Sequence, residues 1–219
     1  MRSEQVQTHL RCNQSCSYCT VRRPTDAAAW VREPAVEQRI REAIAGGARE
    51  IVLSGGEPTQ RGDLARLVAT ARGAGAERVT LETNATLLDD ARARELAAAG
   101  LDRALVNLAG DGPWLDAVTR DPGGWDATVR GVHALIGAGV RVDVQAAIVR
   151  STAARIAELP GMLVERFGGA VRTLFLVVPV RSPDASELLD YDTAGAILSG
   201  SATRRALSST ARIAAPAVS

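Results

Sequence analysis

Three cysteines lie in one short run, Cys12-Asn13-Gln14-Ser15-Cys16-Ser17-Tyr18-Cys19, and the chain has no others. An odd number of thiols this crowded is not a disulfide framework, and it points instead to metal binding or redox chemistry in a reducing compartment. Thiolates are the usual ligands of iron–sulfur clusters. The C-x3-C-x2-C spacing lets a single loop wrap three corners of a cube. A four-iron cube on three cysteines keeps one iron open to an outside chelator. The same loop with His9 as a fourth ligand makes a Cys3His set of the kind structural zinc takes. A plain reactive thiol does not account for three cysteines.

A second run, Ser54-Gly55-Gly56-Glu57-Pro58, pairs two glycines with a carboxylate. Glycines let the backbone come close to a ligand and expose bare N–H and C=O groups, and the Glu57 carboxylate can receive an ammonium group. An ordinary βα turn uses the same residue types.

These residues need elements to position them. Strand-like runs cover Glu4–His9, Glu50–Ser54, Arg78–Glu82, Arg103–Leu108, Arg141–Val149 and Arg172–Val178. Amphipathic helices ended by glycines lie between them. In the first, Pro34 suits the opening turn, Val36, Ile40, Ala43 and Ile44 share a face, and Gly46-Gly47 stops it. Pro160 is expected to kink or split a helix over Ser151–Phe167. Strands alternating with helices imply a parallel sheet. Val142, Val144, Ala146 and Ile148 alternate with Arg141, Asp143, Gln145 and Ala147, whereas a flat sheet covered on both faces reads as continuously apolar. The expected fold is therefore α/β, an open partial (β/α)6 TIM-like barrel of parallel strands around a wet cavity. Residues 1–180 form its core. Residues 181–219 follow as a C-terminal helix near Thr193–Leu198 and a flexible tail of the same domain. In parallel barrels chemistry gathers at the C-terminal strand ends, where the cysteine loop, Gly55-Gly56-Glu57, Asn84 and Asn107 all fall.

The cysteine run, with Tyr18 before its last cysteine, and the Gly-Gly-Glu-Pro turn after a strand together resemble the radical S-adenosylmethionine (SAM) superfamily, over roughly Val6 to Val178. Leu81-Glu82-Thr83-Asn84 resembles its third-strand motif, with Ala85 in place of the usual glycine. Asp111-Gly112-Pro113, Asp116, Arg120 and Gly124-Trp125 are similar to a segment of the peptide-modifying branch; the overall pattern is nearest that branch and the molybdenum-cofactor-type branch. The resemblance implies a [4Fe–4S] cluster on Cys12, Cys16 and Cys19, with SAM chelating the open iron and cleaved reductively to start radical chemistry. It implies SAM contacts from Tyr18, Gly55, Gly56, Glu57, Thr83, Asn84, Asn107 and Arg120, the last as a carboxylate clamp. It also implies a reducing partner such as flavodoxin or ferredoxin. Gln145 and Glu82 are expected to face the cavity.

Composition narrows the field. The formal charge is +1 and aromatics make up 3% of residues, so neither a basic stripe nor a base-stacking surface for nucleic acid is expected. No apolar run is long enough to span a bilayer, and Met1 is followed by polar residues rather than a secretory signal. A cytoplasmic location is the expectation. Three functions compete: a peptide- or natural-product-modifying enzyme, an enzyme acting on a small heterocycle, and a non-catalytic iron–sulfur or zinc scaffold.

Overall fold

Side-chain alternation decides which way each strand faces. Ile51 and Leu53, Val79 and Leu81, Ala104 and Val106, and Val142, Val144 and Ala146 are all buried, on the face that helices cover. The computed structural model describes residues 1–19, 21, 30–179, 181–182, 184–199 and 211–213. In it the strands are β1 (Ser3–Gln7), β2 (Glu50–Ser54), β3 (Arg78–Thr83), β4 (Arg103–Asn107), β5 (Arg141–Ala147), β6 (Val171–Val177) and β7 (Ala211–Ile213). They form one parallel sheet in sequential order from β1 to β7. A doubly wound sheet reverses strand order part-way; here the order never reverses, and the sheet curls into an open half-barrel.

The helices are α1 (Glu33–Ala45), α2 (Leu64–Gly73), α3 (Asp90–Ala98), α4 (Gly112–Thr119), α5 (Gly124–Gly137), α6 (Leu159–Phe167) and α7 (Tyr191–Ser199). Their apolar faces complete the core: Val36 and Ile40 from α1, Leu64, Leu67 and Val68 from α2, Val132 and Leu135 from α5. Pro34 sits in the first turn of α1, where its missing N–H has no intrahelical partner to lose.

Several details depart from the sequence expectation. Pro160 does not kink a helix over 151–167; it occupies the first turn of α6, and turns precede it. α4 is an additional helix in the β4–β5 crossover, opened by Pro113. β1 ends at Gln7, and His9 instead makes an isolated antiparallel bridge with Trp30. A seventh strand, β7, pairs with β6 where a tail was expected; residues 200–210 and 214–219 lie outside the described residues. α7 is longer than expected, and its Ala194 joins the main core.

The concave face is polar. At its floor, the fully buried Asp143 carboxylate accepts from Arg103 Nε at 2.6 Å and Arg141 Nε at 3.1 Å. Asp143→Ala leaves the largely buried Arg103 guanidinium without this anion, at a cost of about 3 kcal/mol. Arg41→Ala, which removes an exposed i,i+4 pair with Glu37, costs less than about 0.5 kcal/mol. Urea midpoints of the two variants check the difference.

Candidate cofactor site

Gln7, Ser54, Thr83, Asn107, Ala147 and Val177 are the last residues of the first six strands. All six line one cavity of about 410 Å³. Cys12, Cys16, Tyr18, Cys19, Gly55, Gly56, Glu57 and Asn84 line it too. The structure thus brings together every sequence-predicted site residue except Arg120. Glu82 and Gln145 face the cavity as expected.

The glycine turn is packed against the segment that leads into the cysteines. Gly56 N–H donates to the His9 carbonyl at 2.8 Å and Glu57 N–H to the Arg11 carbonyl at 2.7 Å. A Cβ on Gly56 would stand 1.7 Å from the Arg11 oxygen, and one on Gly55 would stand 2.3 Å from the His9 oxygen. Both positions therefore demand glycine for contact with the protein itself, whatever else they approach. Among the described residues no backbone donor reaches the Gly55 or Gly56 carbonyl, so those oxygens are the acceptors this turn has left.

Glu57 behaves differently from the open carboxylate expected. Its side chain is buried, with Oε1 accepting from Thr59 N, Thr59 Oγ1 and Thr83 Oγ1 at 3.0, 2.6 and 2.7 Å. Oε2 accepts from Asn84 N–H at 2.7 Å. Burial pushes its pKa up, and these donors pull it back. The carboxylate is a brace between β2 and β3, not an exposed receptor for an ammonium group. Beyond it Ala85 adopts φ 61°, a left-handed conformation that suits glycine better.

Asn84 continues the brace into the cysteine loop, donating to Asn13 Oδ1 at 3.0 Å. The other side of the loop hangs from the end of α4: Ser15 N–H donates to Thr119 O at 2.9 Å and Ser17 N–H to Val118 O at 3.1 Å. Tyr18 is buried, and its hydroxyl accepts from Asn107 Nδ2 at 3.2 Å; burial pushes the phenol pKa up.

Sequence reasoning missed Arg61. This arginine is fully buried; it makes a two-point ion pair with Asp63 at 2.7 and 2.6 Å. It also donates to Thr8 O at 3.1 Å and Val31 O at 2.7 Å, and it stands 4.8 Å from the Trp30 ring centre. Trp30 stacks on His9 at 4.7 Å. Arg61, Trp30 and His9 thus clasp both ends of the cysteine loop. The only available signal was the Arg-x-Asp spacing, which is too common to single out.

The remaining expectations resolve by position. Arg120 is exposed at φ 54°, capping α4, and it is not among the residues lining the cavity. Asp116, one turn earlier, accepts backbone N–H groups from Gly123 and Trp125, each at 2.7 Å. Trp30 stacks on His9, and Trp114 packs against the small core around Tyr18 and Val118. His133 lies 5.2 Å from the Phe167 ring as scaffold. His9, the fourth ligand of the zinc alternative, accepts from Arg11 N–H through Nδ1 at 3.0 Å and does not line the cavity. Among the described residues no three His, Cys, Asp or Glu side chains converge where one ion can sit.

A family model described as the radical SAM superfamily matches residues 6–152. The chain belongs to the radical SAM superfamily. It is 35% identical over 147 residues to a probable GTP 3′,8-cyclase of Methanopyrus kandleri, covering 64% of this chain and 45% of that protein. It is 31% identical over 134 residues to an AdoMet-dependent heme synthase of Nitratidesulfovibrio vulgaris, covering 59% and 35%. The chain spans less than half the length of these relatives. The fold matches Streptococcus suis SuiB bound to S-adenosylmethionine at a TM-score of 0.72 and 16% identity, covering 97% of this chain and 49% of SuiB. SuiB bound to its precursor peptide SuiA matches at 0.63 and 18% identity, covering 80% and 38%. Radical SAM proteins use a [4Fe–4S] cluster together with SAM. The donor set here fits that pair: three thiols and several polar strand-end groups line one cavity.

Two outcomes test this arrangement. Gly56→Ala forces apart two backbones and costs roughly 3 kcal/mol, whereas Gly62→Ala, with nothing within 4 Å of the added carbon, stays near wild type in the same denaturation series. Burial, reinforced by Arg61, lowers the His9 pKa to about 4. The imidazole is neutral when folded, so its contribution is complete above about pH 6.5 and is lost as the pH falls towards 4, on the order of 3 kcal/mol. Urea midpoints from pH 7.5 to 4.5 show this slope in the wild type and a shallower one in His9→Asn.

Proposed function

We propose that this chain is the core of a radical SAM enzyme that modifies a peptide or another natural product. The observation that carries the reading is the placement of three thiols on the wall of the strand-end cavity. In this reading residues 1–180 are the barrel core and 181–219 a C-terminal extension of the same domain. Cys12, Cys16 and Cys19 would hold the [4Fe–4S] cluster. When bound, the cluster and SAM supply one-electron cleavage of a carbon–sulfur bond and a radical able to take hydrogen from a substrate.

The chain's own part is positioning and shielding. The Gly55 and Gly56 carbonyls receive the SAM amino group, in the place first given to the Glu57 carboxylate. Glu57 holds that turn against Thr83 and Asn84. The Asn107 side chain serves the ribose hydroxyls or the SAM carboxylate, while the Asn84 amide is spent on Thr86, Asn13 and Cys12; Tyr18 packs beside the adenine. Arg120 receives no role, because it stands outside the cavity. A reducing partner such as flavodoxin or ferredoxin would supply the electron. A cytoplasmic setting belongs to the same reading; no helix among the described residues is long and apolar enough to cross a membrane.

The fold likeness to SuiB bound to its precursor peptide supports a peptide substrate. The likeness in sequence to proteins named GTP 3′,8-cyclase and heme synthase supports a second reading, action on a heterocycle.

Anaerobic reconstitution tests the proposal. About four irons and four sulfides per chain are expected, with reduction yielding methionine and 5′-deoxyadenosine from SAM. Cys16→Ala abolishes that cleavage. Bound zinc without sulfide, or a cluster that leaves SAM intact, overturns the reading in favour of a scaffold. Mass changes in candidate peptides separate the peptide reading from the heterocycle one.

A further inference from the structure

The cavity extends from the cysteines down into the barrel, where its wall is made by β1, β2 and β3. In the register of the sheet Gln5 pairs with Val52, and Gln7 with Ser54. Gln5 Nε2 donates to Ser54 Oγ at 2.9 Å and to Glu82 Oε2 at 2.7 Å. A primary amide has two N–H donors, and both are used within the wall. What Gln5 has left for a ligand is its carbonyl oxygen. Glu82 is only partly buried, and among the described residues its Oε1 has no hydrogen-bond partner. The two carboxylates lining the cavity therefore differ: Glu57 is saturated by four donors, whereas Glu82 keeps an oxygen open.

Charge sharpens the contrast. Among the described residues lining the cavity there is no Arg, Lys or His. A ligand that covers Glu82 removes its water, and a desolvated carboxylate is tolerated only with a compensating charge or strong donor. Here that compensation has to come from the ligand. An anionic group placed on this wall meets a carboxylate and an amide oxygen, which is repulsion rather than weak attraction.

We propose that Glu82, set by Gln5 and Ser54, forms a substrate subsite for a cationic group with paired N–H donors, such as a guanidinium or amidinium. The proposal deepens the functional reading above and rests on it for the place of the substrate. Glu82 acts here as a specificity-determining residue. A guanidinium fork can meet the carboxylate and the Gln5 carbonyl together, and it can come from an arginine in a peptide or from a small amidine-bearing molecule.

The test uses the reconstituted, SAM-saturated protein in anaerobic equilibrium dialysis. The probes are a decapeptide of alanine and glycine with one central arginine, its citrulline and glutamate counterparts, and agmatine as the small guanidine. The arginine peptide is expected to bind at least about tenfold more tightly than the citrulline and glutamate peptides, a difference of about 1.4 kcal/mol. Glu82→Gln, which keeps the acceptor for Gln5 but removes the charge, is expected to erase that preference. Glu77→Gln, on the exposed surface, keeps it. Agmatine binding that is equally sensitive to Glu82→Gln assigns the guanidinium to a small molecule, and preference confined to the peptide assigns it to an arginine side chain. Equal binding of the three peptides, no binding of any probe, or a preference that survives Glu82→Gln overturns the proposal. So does a Glu82→Gln variant that loses SAM affinity while keeping the probe preference, because Glu82 would then serve the cofactor. SAM cleavage measured on the same preparation reports separately on the radical reading, so the two failures are distinct.

Discussion

A buried carboxylate has to be surrounded by donors, and that requirement organises this site. Glu57 sits in the protein interior with four hydrogen bonds to its two oxygens. Removing it from water without them would cost several kcal/mol. Its donors come from the turn after β2 and from the end of β3, so satisfying one side chain aligns two strand ends. The backbone N–H groups of Gly56 and Glu57 are meanwhile held by the His9 and Arg11 carbonyls. Three segments that meet at the cavity are locked into one register by donor–acceptor matching around a single turn.

The thiol loop has little regular structure of its own, and its shape is imposed from outside. Asn84 reaches it from β3, Thr119 and Val118 reach it from α4, and Arg61 with Trp30 and His9 clasps its flanks. Fixing a loop costs conformational entropy at each residue. Distributing the restraints over several elements holds three thiols on the cavity wall. The Arg61 guanidinium is tolerated in the interior because Asp63, two carbonyls and an indole face surround it.

Barrel curvature explains the polarity of the interior. The convex face is closed by helices and is apolar, while the concave face runs from the Asp143 ion pairs at the floor to the acceptor-rich wall of Gln5 and Glu82. Polar residues on every second position are a liability in a sheet covered on both sides. On the concave side of an open barrel they become the lining of a binding cavity.

Local pattern was enough for much of this. Strand alternation, glycine stops and the spacing of the cysteines are properties of neighbouring residues, so the parallel half-barrel, the strand-end location of the site and the orientation of Glu82 and Gln145 were legible in the chain itself. Partner choice was not. Glu57 finds Thr83 and Asn84 some 26 and 27 positions away, and Arg61 finds Thr8 at a separation of 53. No periodicity encodes those meetings. The inward turn of Glu57, the Arg61 clasp, the exclusion of Arg120 and the use of Pro160 to begin a helix were decided only when the sheet curled and brought distant donors and acceptors into reach.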